Sequence, residues 1–223
     1  MNDNKSAFAA NRFDDNIRKV IPHYDEIYEQ IFSLIGAFFG ERRLAVLDTG
    51  CGTGHFGSMA LERLELSELV LCDPSEKMLE LAKAKLDNRV CEFSCVGSEK
   101  LEYENRFDVV TAIQSHHYFD RATREAAVKN CFRALKPGGL FIVFENTAPF
   151  TEPGRELMLN RLEAFELKAG RTEEEVKAHS ARYGVEFFPI NIAEHLKLLE
   201  KAGFPTAELF WHSYMQSGFY AVK

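Results

Sequence analysis

Between residues 44 and 144 the chain alternates short, almost wholly apolar runs with stretches whose apolar positions recur every three to four residues. The apolar runs predict β-strands over 44–48, 68–72, 90–95, 107–113 and 140–144. The periodic stretches predict helices over 54–65, 75–86, 121–135 and 190–202. Ser75 is placed to cap its helix, with Glu76 in the first turn, and Gly203 closes the last one. Lys136-Pro137-Gly138-Gly139 marks a turn into the fifth strand. Strands apolar on both faces and spaced by helices imply a parallel sheet covered on both sides, the doubly wound α/β class.

Two regions break the alternation. Residues 13–39 read as one or two helices interrupted at Ile21-Pro22, a cap ahead of the first strand. Residues 151–188 are charged and helical, an insertion that belongs outside the sheet and is expected over the strand C-terminal ends. Residues 207–212 and 215–222 suggest a closing hairpin. With no repeat or linker in view, residues 1–223 are expected to form one domain, with a cap over 1–40 and a lid over 150–188.

Composition narrows the class without altering that outline. Hydrophobic residues make up 46% and charged residues 27%, as in a globular chain. No run reaches the roughly 18 apolar residues of a membrane helix; the longest, 27–39, contains Glu29 and Gln30. Residues 1–6 are polar, with no apolar signal core, so a cytoplasmic protein is expected. A net charge of −7 argues against sequence-independent DNA binding. The five cysteines, Cys51, Cys72, Cys91, Cys95 and Cys131, are scattered and read as reduced core thiols. A homodimer is left open.

Ligands of doubly wound sheets bind where strands end at the switch in strand order. The first strand carries Asp48-Thr49-Gly50-Cys51-Gly52-Thr53-Gly54, whose glycines permit a sharp turn and close approach of a ligand. Gly52-Thr53-Gly54-His55-Phe56-Gly57 also satisfies the dinucleotide string G-x-G-x-x-G. Against a dinucleotide stand Asp48, repulsive to a pyrophosphate, and the lack of a second nucleotide-binding half.

Four motifs in order, Val46 to Gly54, Cys72 to Met78, Phe107 to Gln114 and Leu135 to Val143, resemble class I S-adenosylmethionine-dependent methyltransferases. The resemblance covers most of residues 10–223. It implies a Rossmann-like seven-stranded sheet with the last strand antiparallel, S-adenosyl-L-methionine as cofactor and S-adenosyl-L-homocysteine as product. Asp73, 23 residues after Gly50, is then the ribose carboxylate, near the usual spacing of about 20. Pro74 and Met78 would flank the adenine. Gly50, Cys51, Gly52 and Gly54 would meet the methionine moiety by backbone, with Asp48 orienting the loop or the cofactor ammonium. Relatives often place an acid after strand three to bond the adenine; here Gly97 and Ser98 stand instead. Ala112 and Gln114 would pass the cofactor by backbone.

On the acceptor side lie His116, His117 and Tyr118. In-line methyl transfer needs mainly geometry and exclusion of water, and a base only where the nucleophile bears a proton. The histidine pair is the candidate base. The other five histidines show no ligand spacing to it, so no metal is expected. The cap, with the C-terminal segment, is similar to carboxy-S-adenosylmethionine synthases, where a cap tyrosine and an insertion arginine contact the cofactor. Tyr24 and Arg182 match these, the latter as a guanidinium facing a carboxylate. Ala112 stands where that group carries an asparagine. The leading expectation is methylation of a small-molecule acceptor. Non-methyl use of the same cofactor, tRNA modification and a non-catalytic binding module are the rivals.

Overall fold

The structure, a computed structural model, describes residues 12–86 and 92–223. Seven strands form one sheet: β1 (Leu44–Thr49), β2 (Leu66–Cys72), β3 (Glu92–Ser94), β4 (Phe107–Ile113), β5 (Leu135–Asn146), β6 (Thr206–Ser213) and β7 (Gln216–Val222). Their order is β3-β2-β1-β4-β5-β7-β6, with β7 antiparallel to both neighbours. The switch in order falls between β1 and β4, parallel partners in register from Val46–Val109 to Thr49–Ala112. The expected seven-stranded, doubly wound sheet is therefore present.

All of β1 is buried, and successive residues serve opposite cores because side chains alternate across a sheet. Val46 packs with α2 (Tyr24–Phe39), α3 (His55–Arg63) and α4 (Glu76–Leu86). Leu47 packs with α5 (Arg121–Ala134) and α8 (Ile192–Ala202). The caps are local: the Ser75 hydroxyl accepts the Met78 N–H at 3.3 Å, Asp120 caps α5, and Asn191 with Glu194 forms a capping box on α8.

Boundaries shift where pairing extends strands beyond the apolar runs. β5 begins at Leu135, because Leu135 already pairs with Phe107, and so includes the Lys136–Gly139 turn. β3 is only three residues; the expected start at Val90, and Cys91, lie outside the described residues. The cap is α1 (Phe13–Asn16), a 3₁₀ turn over Ile17–Lys19 and α2; the insertion is α6 (Glu152–Lys168) and α7 (Glu173–Ser180). Cys51, Cys72 and Cys131 are buried free thiols, but Cys95 is exposed, correcting the expectation of core thiols throughout. Among the described residues no helix is long and apolar enough to cross a membrane.

Gly218 on β7 faces Phe144 on β5, and a Cβ there would sit 2.4 Å from the Phe144 ring. Phe144 is fully buried, so the ring has nowhere to move. Gly218→Ala is expected to destabilise the fold by about 1–3 kcal/mol, the usual overpacking cost, measured by urea unfolding. An unchanged midpoint would refute the clash.

Candidate active site

At the C-terminal ends of the central strands lies a cavity of about 370 Å³, roofed by the cap and the insertion. On one side stands the glycine loop. Gly50, Gly52 and Gly54 all take positive φ, and a Cβ on Gly50 would meet the Ser115 Cβ at 2.5 Å. Asp73 faces the cavity from the end of β2. Its Oδ2 accepts the Gly52 N–H at 3.0 Å and its Oδ1 accepts the Ser75 N–H at 2.9 Å. Burial raises its pKa, while these two bonds oppose the rise. The carboxylate thus has a fixed orientation and lone pairs left for a diol. Pro74 and Met78 border the same end.

The cap closes this half. Tyr24 stacks on His55 at 5.7 Å and shares a hydrogen bond with Tyr28 at 3.1 Å; burial pushes Tyr24 up to about 12. Asp14 on α1 accepts from the Thr53 hydroxyl at 2.7 Å and from Lys85 Nζ at 2.6 Å. One carboxylate therefore ties the cap to both the glycine loop and α4.

The acceptor half is built from the end of β4, the end of β5 and the insertion. Gln114 has φ of +54°, strained for a non-glycine residue, and its Nε2 donates to Gln216 Oε1 at 2.5 Å. Glu145 on β5 is completely buried. Its Oε1 accepts the His116 N–H and its Oε2 accepts from His117 Nδ1, both at 3.0 Å. Burial alone would raise the Glu145 pKa; the His117 hydrogen bond and nearby charge bring it down to about 2. With Nδ1 committed, His117 keeps Nε2 for the cavity it lines. Arg124 holds this loop in place through the His116 and Phe119 carbonyls, each at 3.1 Å. The His117 carbonyl accepts the Phe188 N–H at 2.7 Å, joining the loop to the end of the insertion. Tyr118 and Arg182 also line the cavity. Burial raises Tyr118 to about 12 against the nearby Arg182, and Arg182 pairs with Glu186 at 2.8 Å.

The structure brings Tyr24, Gly50, Cys51, Gly52, Asp73, Pro74, Met78, Gly97, Ser98, Gln114, His117, Tyr118 and Arg182 to one cavity. Four expected residues stand behind that lining. His116 is 1% exposed; its Nε2 meets the Ser98 hydroxyl at 3.0 Å, and burial lowers its pKa to about 4. It props the loop, so the expected pair reduces to His117 as the candidate base. Ser98 reaches the cavity with its hydroxyl already engaged. Ala112 is buried within β4, and Gly54 supports the turn against Ala82 and Leu86. Asp48 accepts from Thr111 Oγ1 at 2.6 Å, and burial raises its pKa to about 7. That bond ties the end of β1 to β4 beneath the glycine loop.

Since Asp48 is raised above its unfolded value near 3.8, its contribution to stability is complete below that value and is lost as pH climbs through about 7. Asp48→Asn is expected to remove this dependence. The stability gap between variant and native protein should change by about 2 kcal/mol between pH 5 and pH 8, in favour of the variant at pH 8. Parallel unfolding curves at the two pH values would contradict it.

Sequence reasoning missed Asp14, Thr53, Lys85, Glu145 and Asn146. Nothing local marks Asp14 or Lys85. An acid directly after the apolar run 140–144 was a legible signal for Glu145, because a carboxylate buried at a strand end needs a partner.

Glycine loop, acid at the end of β2 and sheet order together give the architecture of the class I S-adenosylmethionine-dependent methyltransferases, and the comparisons support S-adenosyl-L-methionine as the cofactor. Residues 46–139 match the methyltransferase-domain family model. Along nearly its whole length the chain is similar to a carboxy-S-adenosyl-L-methionine synthase of Staphylococcus epidermidis, 28% identical over 98% of this chain and 96% of that protein. A malonyl-[acyl-carrier protein] O-methyltransferase of Priestia megaterium is 27% identical over 52% of this chain and 43% of its own. Among solved structures, magnesium protoporphyrin IX methyltransferase of Synechocystis, with bound S-adenosylhomocysteine, superposes with a TM-score of 0.66. It is 18% identical, over 92% of this chain and 86% of that one, and so supports the fold.

Proposed function

We propose that the chain is an enzyme that transfers the methyl group of S-adenosyl-L-methionine to a proton-bearing oxygen or nitrogen of a small molecule. The observation that carries this reading is the imidazole of His117 at the cavity, oriented by a fully buried Glu145. Asp73 would hold the ribose hydroxyls, and Gly50 to Gly52 would contact the methionine moiety by backbone. The cofactor, when bound, supplies an electrophilic sulfonium methyl. His117 Nε2 takes the nucleophile's proton, and Glu145 stabilises the resulting imidazolium. Cap and insertion exclude water and fix the line of attack. The enzyme is read as a single cytoplasmic catalytic unit acting without DNA.

The relatives similar over most of the chain favour a second reading: production of a carboxyl-modified cofactor, as the name carboxy-S-adenosyl-L-methionine synthase states of them. The presence of Tyr24 and Arg182 in one cavity supports it; Ala112, where the synthases carry an asparagine, weighs against it. Product analysis by mass spectrometry separates the two. S-adenosylhomocysteine with a methylated acceptor supports methyl transfer, whereas a carboxylated sulfonium nucleoside would replace that reading with the second.

A further inference from the structure

The insertion contributes a second carboxylate–imidazole pair to the same cavity. Glu166 on α6 is 1% exposed. Its Oε2 pairs with Arg171, and its Oε1 lies 2.6 Å from Nδ1 of His179 on α7. His179 lines the cavity, and a ring whose Nδ1–H donates to the carboxylate has Nε2 as its remaining nitrogen, the acceptor of that tautomer. His117 has the same arrangement across the cavity. Both imidazoles stand 6.1 Å, centroid to centroid, from the ring of Phe187, so they flank one part of the space. Between the strands' ends, Asn146 also lines the cavity, with its Oδ1 buried and unpartnered among the described residues. A tie between α6 and α7 needs none of this. Ser180 Oγ on α7, donating to Glu163 on α6 at 2.7 Å, already supplies it.

We infer that the acceptor molecule carries a second hydrogen-bond donor besides its nucleophilic group, and that His179 receives it. Beside the donors Tyr118 and Arg182, the acceptors on His117, His179 and Asn146 would be left unpaired by a ligand that lacks donors, which is how such sites discriminate. The substrate class is therefore a small, largely apolar compound with two O–H or N–H groups, a diol or aminoalcohol arrangement on a ring or short chain. This deepens the proposed function and rests on its reading of the cofactor pocket.

The test titrates 1,2-, 1,3- and 1,4-dihydroxybenzene, with their mono- and dimethyl ethers, into protein saturated with S-adenosylhomocysteine. At least one diol is expected to bind, weakening about tenfold with each ether introduced. His179→Phe preserves the ring against Phe187 and should abolish one of the two steps. His117→Phe should abolish the other. Affinity for S-adenosylhomocysteine should stay within about twofold in both variants, and Glu166→Gln should reproduce the His179 effect in part. Diols and ethers binding alike, no diol binding, or both steps surviving in His179→Phe would overturn the inference. Failure of S-adenosylhomocysteine itself to bind would instead overturn the cofactor reading beneath it.

Discussion

His117→Phe is expected to lower turnover by about 10²–10⁴-fold while leaving cofactor affinity within about twofold. The ring of the variant can keep the contacts His117 makes with Tyr118 and Phe187, so what is lost is the proton acceptor together with the hydrogen bond to Glu145 Oε2. Glu145→Gln tests the same claim from behind. A glutamine can still accept the His116 N–H, but it no longer stabilises a charged imidazole. Turnover should fall in this variant too, and the double variant should be little worse than either single one, because the two act as a unit. Additive losses would separate the pair. Full activity in His117→Phe would remove the base from the mechanism and leave an acceptor that attacks already deprotonated.

The second large effect belongs to Asp73. Asp73→Ala is expected to weaken S-adenosylhomocysteine binding by about 1–3 kcal/mol, the usual loss for a hydrogen bond to a charged group. The structure adds a reason for the upper end. The same carboxylate anchors the Gly52 and Ser75 amides, so its removal also loosens the loop around the ligand. Asp73→Asn retains one acceptor oxygen and should fall between the two. Calorimetric titration reads both variants directly, and unchanged affinity would mean the sugar is held elsewhere.

The sheet, its order class and the glycine loop were legible because they depend on short-range rules. Short β-branched runs such as 107–113, bounded by polar residues, read as buried strands, and the 54–65 and 190–202 periodicities read as helices with one buried face. The glycines at 50, 52 and 54 permit the positive φ that all three adopt. Asp73 was legible for a similar reason, since an acid at the end of the second strand is delivered to the switch point by topology alone.

What tertiary structure decided was which polar side chains meet. His116 and His117 are neighbours in sequence with opposite fates: one turns into the core against Ser98, the other opens onto the cavity. Their residue types are identical, so only the course of the loop, held by Arg124 and Glu145, distinguishes them. Asp14 and Lys85 are 71 residues apart and meet because the cap folds back over the loop. His179, set aside as a metal ligand on spacing alone, gains a role only when α7 is laid over the strand ends beside Phe187. Backbone geometry follows from local residue preference and burial pattern, so it was written along the chain. Proton handling depends on through-space contacts between groups distant in sequence, and those exist only once the chain has folded.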